Sequence, residues 1–398
     1  MNLPRFSWPL LVGMGALCAG CSWDWDYYAD HHADNSRTCA TGVSDARVAR
    51  LSRGIDLYGW LESPTSFTNF ISDAALQRFA QAGVTFVRAS FYAPALFDTT
   101  QPDNLNSTNL SYFRQAVDRA RAAGLGIVFV PYFEPTFKQQ LEDQDPSTGA
   151  NALDVLLRMW SKFASFINEQ DPDWVYPELF GAADFSNSSA WNRILQSLAK
   201  TVRNVAPRHT IIVDGNSGKF RVDWNSIGAL KNLETIADDH NVIYGFIYFD
   251  PVIFTHQGAT WRPEWPELQY VQGVAYPSSP QLVAPALSAI TDKVAYAEVA
   301  IYGDESWGPE RLSIDIDQVA QWSADNCARV MCVEFGVYRK YAPPDSAARW
   351  VYDVRTLLEQ RRIAWSYWSY DSDQFTLLPL QPGPVIEPAI ATSLGLTE

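Results

Sequence analysis

Short apolar runs alternate with amphipathic stretches along this chain from about residue 50 onward. Eight apolar runs predict β-strands, over 53–60, 84–90, 125–132, 175–180, 210–214, 242–249, 330–335 and 364–370. Other stretches place apolar residues at every third or fourth position and predict helices, over 73–82, 110–123, 152–170, 190–204, 318–326 and 346–360.

Strands that mostly alternate with helices predict an α/β fold, a (β/α)8 TIM barrel that covers residues 50–398. An open doubly wound sheet is the alternative. That fold carries a glycine-rich phosphate turn after its first strand, whereas this chain reads Leu57-Tyr58-Gly59-Trp60 there. The long stretch 250–316 is expected to form an elaborated loop with extra helices over the C-terminal face of the barrel.

The N-terminus predicts an export signal. One basic residue, Arg5, precedes an apolar run over 10–19, which ends in Ala19-Gly20-Cys21. This pattern predicts a lipoprotein signal peptide over residues 1–20 and lipidation of Cys21; an ordinary cleaved signal or a short anchor is the alternative. The run is too short to span a bilayer.

Residues 21–49 are polar and lack periodicity, so they are expected to form a tether between the lipid anchor and the barrel. Ser22 rather than Asp follows Cys21, so the cue for retention at the inner membrane is absent. The predicted location is therefore that of a secreted bacterial lipoprotein on the periplasmic side of the outer membrane.

Charge and composition narrow the classes of partner. The formal net charge is −15 and the sequence pI is about 4.8, which disfavours binding to nucleic acid and to strongly anionic polysaccharides. Aromatic residues make up 14% of the chain and include 15 Trp, an excess that is common in sugar-binding proteins but is also used in large cores.

Five cysteines are present, of which Cys18 would be lost with the signal and Cys21 lipidated. An oxidising compartment permits a disulfide, and Cys327 and Cys332 could pair, which would leave Cys39 unpaired. No CxxC or HExxH pattern appears, so a zinc site is not indicated. No metal and no other cofactor is expected.

The active site of a TIM barrel lies at the C-terminal ends of its strands. The residues predicted at those ends are Trp60, Arg88, Tyr132, Glu134, Ala182, Asp184, Phe249, Glu334 and Trp368. A carboxylate such as Glu334 can attack or stabilise an anomeric carbon, and the indole of Trp368 can stack on a pyranose ring. A second carboxylate is the missing part of this expected sugar site.

Several motifs together resemble glycoside hydrolase family 5, the cellulase-like family of retaining β-glycosidases, over residues 50–375. They are Arg53-Gly54-Ile55, Phe86-Val87-Arg88, the segment 254–261, Tyr276-Pro277-Ser278-Ser279-Pro280, Glu334-Phe335-Gly336 and the strand that carries Trp365 and Trp368. The resemblance implies that Glu334 is the nucleophile. It also implies substrate contacts from Arg88, Trp60, Tyr132, Phe249, Trp261 and Trp368.

The catalytic positions depart from the family pattern. Where the family has Asn-Glu-Pro, whose Glu is the acid/base, this chain has Gly181-Ala182-Ala183. The His expected after the third strand is Tyr132, and the His-x-Tyr of the sixth strand is Ile247-Tyr248-Phe249. The acid/base position is therefore vacant at Ala182, and the resemblance implies impaired hydrolysis.

Two nearby carboxylates, Asp184 and Glu134, are candidates for a displaced acid, although each is also typical of a solvated loop residue. Asp214 and Asp250 are expected to be structural.

Three functions remain open from the sequence. The first is a lipoprotein that binds a β-linked polysaccharide and works with export or assembly machinery. The second is an active retaining β-glycosidase or transglycosylase of endoglucanase type, with Glu334 as nucleophile and a displaced acid. The third is a protein-binding scaffold that has lost its carbohydrate contacts.

Overall fold

The computed structural model describes residues 42–143, 149–217, 226–371, 375–377 and 386–397. The predicted signal peptide, Cys21, Cys39 and most of the predicted tether lie outside these residues. Residues 40–398 form one compact unit.

Eight parallel strands confirm the predicted TIM barrel. They are β1 (Arg53–Asp56), β2 (Phe86–Tyr92), β3 (Gly126–Tyr132), β4 (Val175–Pro177), β5 (Ile211–Asp214), β6 (Val242–Tyr248), β7 (Arg329–Phe335) and β8 (Ala364–Tyr367). The hydrogen-bonded order is β4-β3-β2-β1-β8-β7-β6-β5. A bridge between Glu178 and Ile212 joins the two outer strands, with Leu179 N donating to Ile212 O at 3.0 Å. The sheet is thereby nearly closed.

Helices lie between the strands, with a further helix before β1 and another after β8. They are α1 (Asp45–Arg50), α2 (Pro64–Asn69), α3 (Asp73–Ala82), α4 (Ser107–Ala122), α5 (Pro135–Asp143), α6 (Gly149–Asn168), α7 (Ser188–Val205), α8 (Ser226–Lys231), α9 (Val252–Thr255), α10 (Pro280–Ala289), α11 (Lys293–Asp304), α12 (Pro309–Asp325), α13 (Pro344–Gln360) and α14 (Pro388–Ser393). Short 3-10 turns occupy Ala93–Ala95 and Pro266–Tyr270. Within the described ranges, none of the helices is both long and apolar enough to cross a membrane.

Helix α3 shows how local sequence sets an element's bounds. Ser72 caps its first turn by accepting a hydrogen bond from Ala75 N, and Gly83 ends it with a left-handed φ of 103°. The apolar face, which includes Leu76 and Phe79, is buried against the barrel. Because both caps are encoded in the sequence, the predicted bounds are those observed.

The interior of the barrel is filled by apolar side chains from most of the strands. They are Phe86, Val128, Tyr176, Ile212, Ile243, Met331 and Val333, packed with Leu51 and Val43. Gly54 gives the ring of Phe86 room, since a Cβ at that position would lie 2.2 Å from Phe86 Cζ.

Residues 42–49 were predicted to belong to the tether, but they pack on the barrel. Val43 is buried, Gly42 N donates to His240 O at 2.9 Å, and Arg47 on α1 pairs with Asp173 at 2.7 Å. These contacts are long-range, which is why the local polarity of the segment did not reveal them.

The suggested disulfide between Cys327 and Cys332 is wrong. Cys327 is disulfide-bonded, whereas Cys332 is a free, buried thiol whose Sγ donates to Glu334 O at 3.4 Å. Cys327 precedes strand β7, which begins at Arg329, whereas Cys332 lies within the strand. At about 3.3 Å per residue, Cys332 is roughly 10 Å from the start of the strand. A disulfide needs Cα atoms within about 7 Å.

Candidate active site

A buried arginine organises the C-terminal mouth of the barrel. Arg88 on β2 is 1% exposed and donates from Nε and Nη2 to Glu178, at 2.7 and 2.5 Å. Its Nη1 donates to Asp56 Oδ2 at 2.6 Å and to Glu334 Oε1 at 2.8 Å. One guanidinium therefore holds carboxyl groups that come from the ends of β1, β4 and β7.

A fourth carboxyl group, that of Asp214 at the end of β5, is buried close to Glu178. Burial raises the pKa of Asp56 to about 7, and burial together with the neighbouring Glu178 raises the pKa of Asp214 well above its ordinary value. One arginine cannot neutralise four buried carboxylates, so part of the cluster keeps its protons near neutral pH.

Glu334 is the member of this cluster that reaches the mouth. Its side chain is 15% exposed, whereas those of Asp56 and Glu178 are fully buried. Burial raises the pKa of Glu334, while Arg88 opposes that rise. The prediction that Glu334 lies at the C-terminal end of the seventh strand is confirmed.

The wall that β6 contributes beside Glu334 is apolar. Ile247 is the register partner of Glu334, and Phe249 packs 5.2 Å from His256 and 5.5 Å from Phe375. Neither Ile247 nor Phe249 carries a group that can donate a hydrogen bond to the carboxylate. Arg88 thus supplies the hydrogen bond that the structure gives the Glu334 side chain.

Position 182 offers no proton donor. Ala182 is exposed with a φ of 50°, and its carbonyl accepts a hydrogen bond from Lys138 Nζ at 2.8 Å. A Cβ at Gly181 would lie 3.1 Å from Val130 Cγ2 and 3.3 Å from Pro131 O, so a side chain there would be crowded. The segment is held by its backbone and by Lys138.

The two candidate displaced acids, Asp184 and Glu134, are each engaged by other residues. Asp184 pairs with Lys138 Nζ at 3.0 Å, and Glu134 accepts hydrogen bonds from the hydroxyls of Tyr92 and, at 3.4 Å, Thr136. Glu62, which the sequence analysis did not select, accepts a hydrogen bond from the Tyr132 hydroxyl.

A row of partly exposed aromatic rings crosses the mouth and joins Trp368 after β8, Tyr58 after β1, Tyr132 at the end of β3 and Tyr92 at the end of β2. Trp368 lies 5.1 Å from Tyr58, Tyr58 lies 5.2 Å from Tyr132, and Tyr132 lies 5.5 Å from Tyr92, between ring centroids. The sequence analysis missed Tyr58 and Tyr92. The signal for Tyr92 was its place at the end of the second strand, where it is the register partner of Tyr132.

Two aromatic residues predicted to contact sugar differ in their accessibility. Trp261 is partly exposed and packs 4.7 Å from Tyr338. Trp60 is fully buried, stacks on Phe67 at 5.9 Å and donates from Nε1 to Phe67 O at 3.3 Å. Its predicted sugar contact does not fit this position, because its faces are covered by the core.

The described part of the chain contains no group of three or more His, Cys, Asp or Glu side chains that could hold a metal ion. What the mouth does contain is one partly exposed carboxylate on a buried arginine, beside aromatic rings. This arrangement can bind a sugar ring and present Glu334 to its anomeric carbon.

The family model for the cellulases of glycosyl hydrolase family 5 matches residues 52–374. The chain belongs to glycosyl hydrolase family 5. A family 5 protein is expected to have this barrel, and the matched range begins and ends close to β1 and β8.

Curated relatives of this family 5 chain include endoglucanases and a cellodextrinase. Endoglucanase C of Acetivibrio thermocellus is 25% identical over 343 residues, covering 83% of this chain and 94% of the relative. Endoglucanase C307 of a Clostridium species matches to the same extent. Cellodextrinase A of Ruminococcus flavefaciens is 24% identical and covers 53% of this chain and 62% of its own length.

Solved structures share the fold of this chain. Cel5A of Thermotoga maritima, in complex with cellobiose in a mutant form, superimposes with a TM-score of 0.70 and 22% identity, covering 89% of this chain and 99% of its own. The cellulose synthase subunit Z of Clostridioides difficile superimposes with a TM-score of 0.67 and 20% identity, covering 86% and 99%.

We expect the stability of this family 5 barrel to fall as Asp56 ionises. The pKa of Asp56 is ordinarily 3.8 and is about 7 in the folded protein. Protonation of Asp56 therefore stabilises the fold fully below pH 4, and this stabilisation is lost as the pH rises through 7. The free energy of unfolding of Asp56→Asn, taken relative to that of wild type, should rise by about 3 kcal/mol from pH 5 to pH 8.

Thermal unfolding at a series of pH values measures this effect. Asp45→Asn, at an exposed position on α1, is the control for the loss of a carboxyl group outside the buried cluster. A difference between Asp56→Asn and wild type that stays constant from pH 5 to pH 8 would contradict the expectation.

Proposed function

We propose that this protein binds β-linked glucan through the mouth of its barrel and hydrolyses it poorly. The observation that carries the proposal is the vacant acid position: Ala182 stands there, while Glu334 is still held by Arg88. A retaining mechanism needs a second carboxyl group about 5 Å from the first to protonate the leaving oxygen. Binding does not need that group.

Aromatic rings support the binding part of the proposal. Trp368 and Trp261 are partly exposed, and flat rings stack on the apolar faces of pyranose units. The curated relatives include endoglucanases, which makes β-linked glucan the first ligand class to test. No basic cluster is needed for a neutral ligand of this kind, in keeping with the net charge of −15.

A second candidate is an active retaining endoglucanase or transglycosylase. The retained contact between Arg88 and Glu334, at 2.8 Å, and the endoglucanase relatives favour it. It requires a displaced acid, and Asp184 or Glu134 would first have to leave the partners described above. The scaffold hypothesis has less support, because the buried charge cluster and the aromatic row are both present.

Incubation with a panel of β-glucans tests the proposal when binding and new reducing ends are scored together. Trp368→Ala should weaken binding about fivefold or more, since a stacked aromatic contributes on the order of 1 kcal/mol beyond its buried area. Glu334→Ala should weaken it only modestly. Tyr352→Ala removes an exposed ring on α13 and serves as the control. Equal binding by Trp368→Ala and wild type would oppose the proposed site.

The protein is further proposed to be anchored through Cys21 at the periplasmic side of the outer membrane, because Ala19-Gly20-Cys21 closes an apolar signal. Cys21→Ser should move the protein from the membrane fraction to the soluble fraction. Unlipidated wild type together with membrane-bound Cys21→Ser would rule out this form of anchoring.

Export or assembly machinery for polysaccharide remains the proposed protein partner. The fold is shared by a subunit of a clostridial cellulose synthase, which makes such machinery the first partner class to test. Co-purification from detergent-solubilised membranes of wild type, with Cys21→Ser as the comparison, tests the partnership.

A further inference from the structure

Cys327 lies in the turn between α12 and β7, at the N-terminal end of the barrel. Its φ of 49° is left-handed and ends the helix, and its backbone N donates to Ala324 O at 3.3 Å. On the other side of the turn, Ala328 N donates to Ser323 O at 3.0 Å. These bonds hold Cys327 at a fixed and partly exposed position.

The N-terminal segment meets the barrel at the same end. Gly42 N donates to His240 O at 2.9 Å, and a Cβ at Gly42 would lie 2.8 Å from His240 C and 2.9 Å from Asn241 N. Glycine is what lets the chain lie this close to the backbone before β6. Asp45, on α1, pairs with Arg329 at 3.8 Å. The segment therefore enters the barrel beside the start of β7.

The sheet brings Gly42 and Cys327 close together. Strands β6 and β7 are neighbours, with Ile243 the register partner of Arg329. Two residues back along each chain are Asn241, beside which Gly42 lies, and Cys327. Neighbouring strands lie about 4.8 Å apart, so Gly42 is within about two strand spacings of Cys327.

The cysteine count then indicates the partner of Cys327. Cys327 is disulfide-bonded and Cys332 is a free thiol, so the second sulfur belongs to one of the three N-terminal cysteines. Cys39 is three residues from the point where the segment meets the barrel, a reach of about 10 Å. The other two, Cys18 and Cys21, lie far back in the sequence, in or directly after the predicted signal peptide.

We infer that Cys39 and Cys327 form a disulfide that staples the end of the tether to the N-terminal end of the barrel. Cys332 then takes the place of Cys39 as the unpaired cysteine. The inference goes beyond the proposed function and needs neither sugar binding nor lipidation, so it can fail or hold independently of both.

The bond forms by exchange with a protein disulfide in an oxidising compartment. The thiolate of Cys327 attacks that disulfide, forms a mixed disulfide and releases one sulfur of the oxidant. The thiolate of Cys39 then attacks Cys327 Sγ and releases the second sulfur. The two protons of the cysteines pass to the oxidant, which is reduced to a dithiol.

The staple determines where an N-terminal anchor acts on the barrel. Cys327 lies just before β7, whereas Glu334 lies near the other end of this strand, roughly 17 Å from Arg329 at about 3.3 Å per residue. A lipid on Cys21, as proposed above, would hold the barrel at the end opposite to the mouth. The mouth would thereby stay open to a polysaccharide.

Tryptic mapping of exported full-length protein, alkylated and digested without reduction, tests the pairing. Trypsin places Cys39, Cys327 and Cys332 on separate peptides, over 38–47, 312–329 and 330–339. We expect peptides 38–47 and 312–329 to be linked and to separate on reduction. An unlinked peptide 312–329, or one linked to 330–339 or to the peptide that carries Cys21, would overturn the assignment.

Thermal unfolding tests whether the bond acts as a staple. Reductant should lower the unfolding temperature of wild type by about 4 °C or more. Cys39→Ser, Cys327→Ser and the double variant should all unfold at the temperature of reduced wild type and should not respond to reductant. Cys332→Ala is the matched control and should keep the response. A response that persists in Cys39→Ser, or its absence in wild type, would rule out the staple.

Discussion

Wild-type protein is expected to release reducing ends from unactivated β-glucan about 10²–10⁴ times more slowly than a site with a working general acid. An alkoxide is a poor leaving group, so its oxygen must be protonated as the glycosidic bond breaks. Ala182 has no proton to give, and the nearby ammonium of Lys138 is engaged by Ala182 O and Asp184. The apolar Ile247 and Phe249 add no polar assistance.

An activated aryl β-glucoside separates the loss of the acid from the loss of the nucleophile. Its phenolate leaves with little protonation, so slow turnover that disappears in Glu334→Ala would show that the nucleophile still works. Asp184→Asn and Glu134→Gln should leave that turnover unchanged. Rapid cleavage of a natural β-glucan that either of these two variants abolishes would identify a displaced acid and establish the active endoglucanase instead.

Arg88→Met is expected to be the most destabilising single substitution at the mouth. The guanidinium is the buried positive charge shared by Asp56, Glu178 and Glu334. Removing one partner from a buried ion pair costs about 3–5 kcal/mol, because the other charges stay buried without compensation. Denaturant unfolding at neutral pH should show a loss of at least this size, or no folded protein.

If the charge of Arg88 stabilises the protein, the stability of Arg88→Met should depend on pH. Arg88 lowers the pKa values of Asp56 and Glu334, so without it these two carboxyl groups should hold their protons to higher pH, and Arg88→Met should regain part of its stability as the pH is lowered. Arg114→Met removes a surface pair with Glu169 and should cost at most about 1 kcal/mol. Equal stability losses at pH 5 and pH 8 for Arg88→Met would mean that packing, not charge, is what the residue contributes.

The order of helices and strands could be predicted from the sequence because the residues within and next to each element specify it. Strands such as β7 are short apolar runs, and α3 carries its own cap at Ser72 and its own stop at Gly83. Local signals were weaker where a helix continues past its most regular stretch. Helix α12 begins at Pro309, well before the predicted residue 318, and it buries Leu312 and Ile316 in its first half.

The sequence by itself determined the barrel, the place of Glu334 at the end of β7, and the absence of a carboxylate at Ala182, since periodicity and residue identity are enough for those statements. Only the tertiary structure decided that one arginine gathers carboxyl groups from three strands and that Trp60 is covered by the core. It also decided that Tyr58 and Tyr92 join Trp368 in one row. The physical reason is distance along the chain: these contacts form only when strands close in register, and no local pattern records which side chains closure brings together.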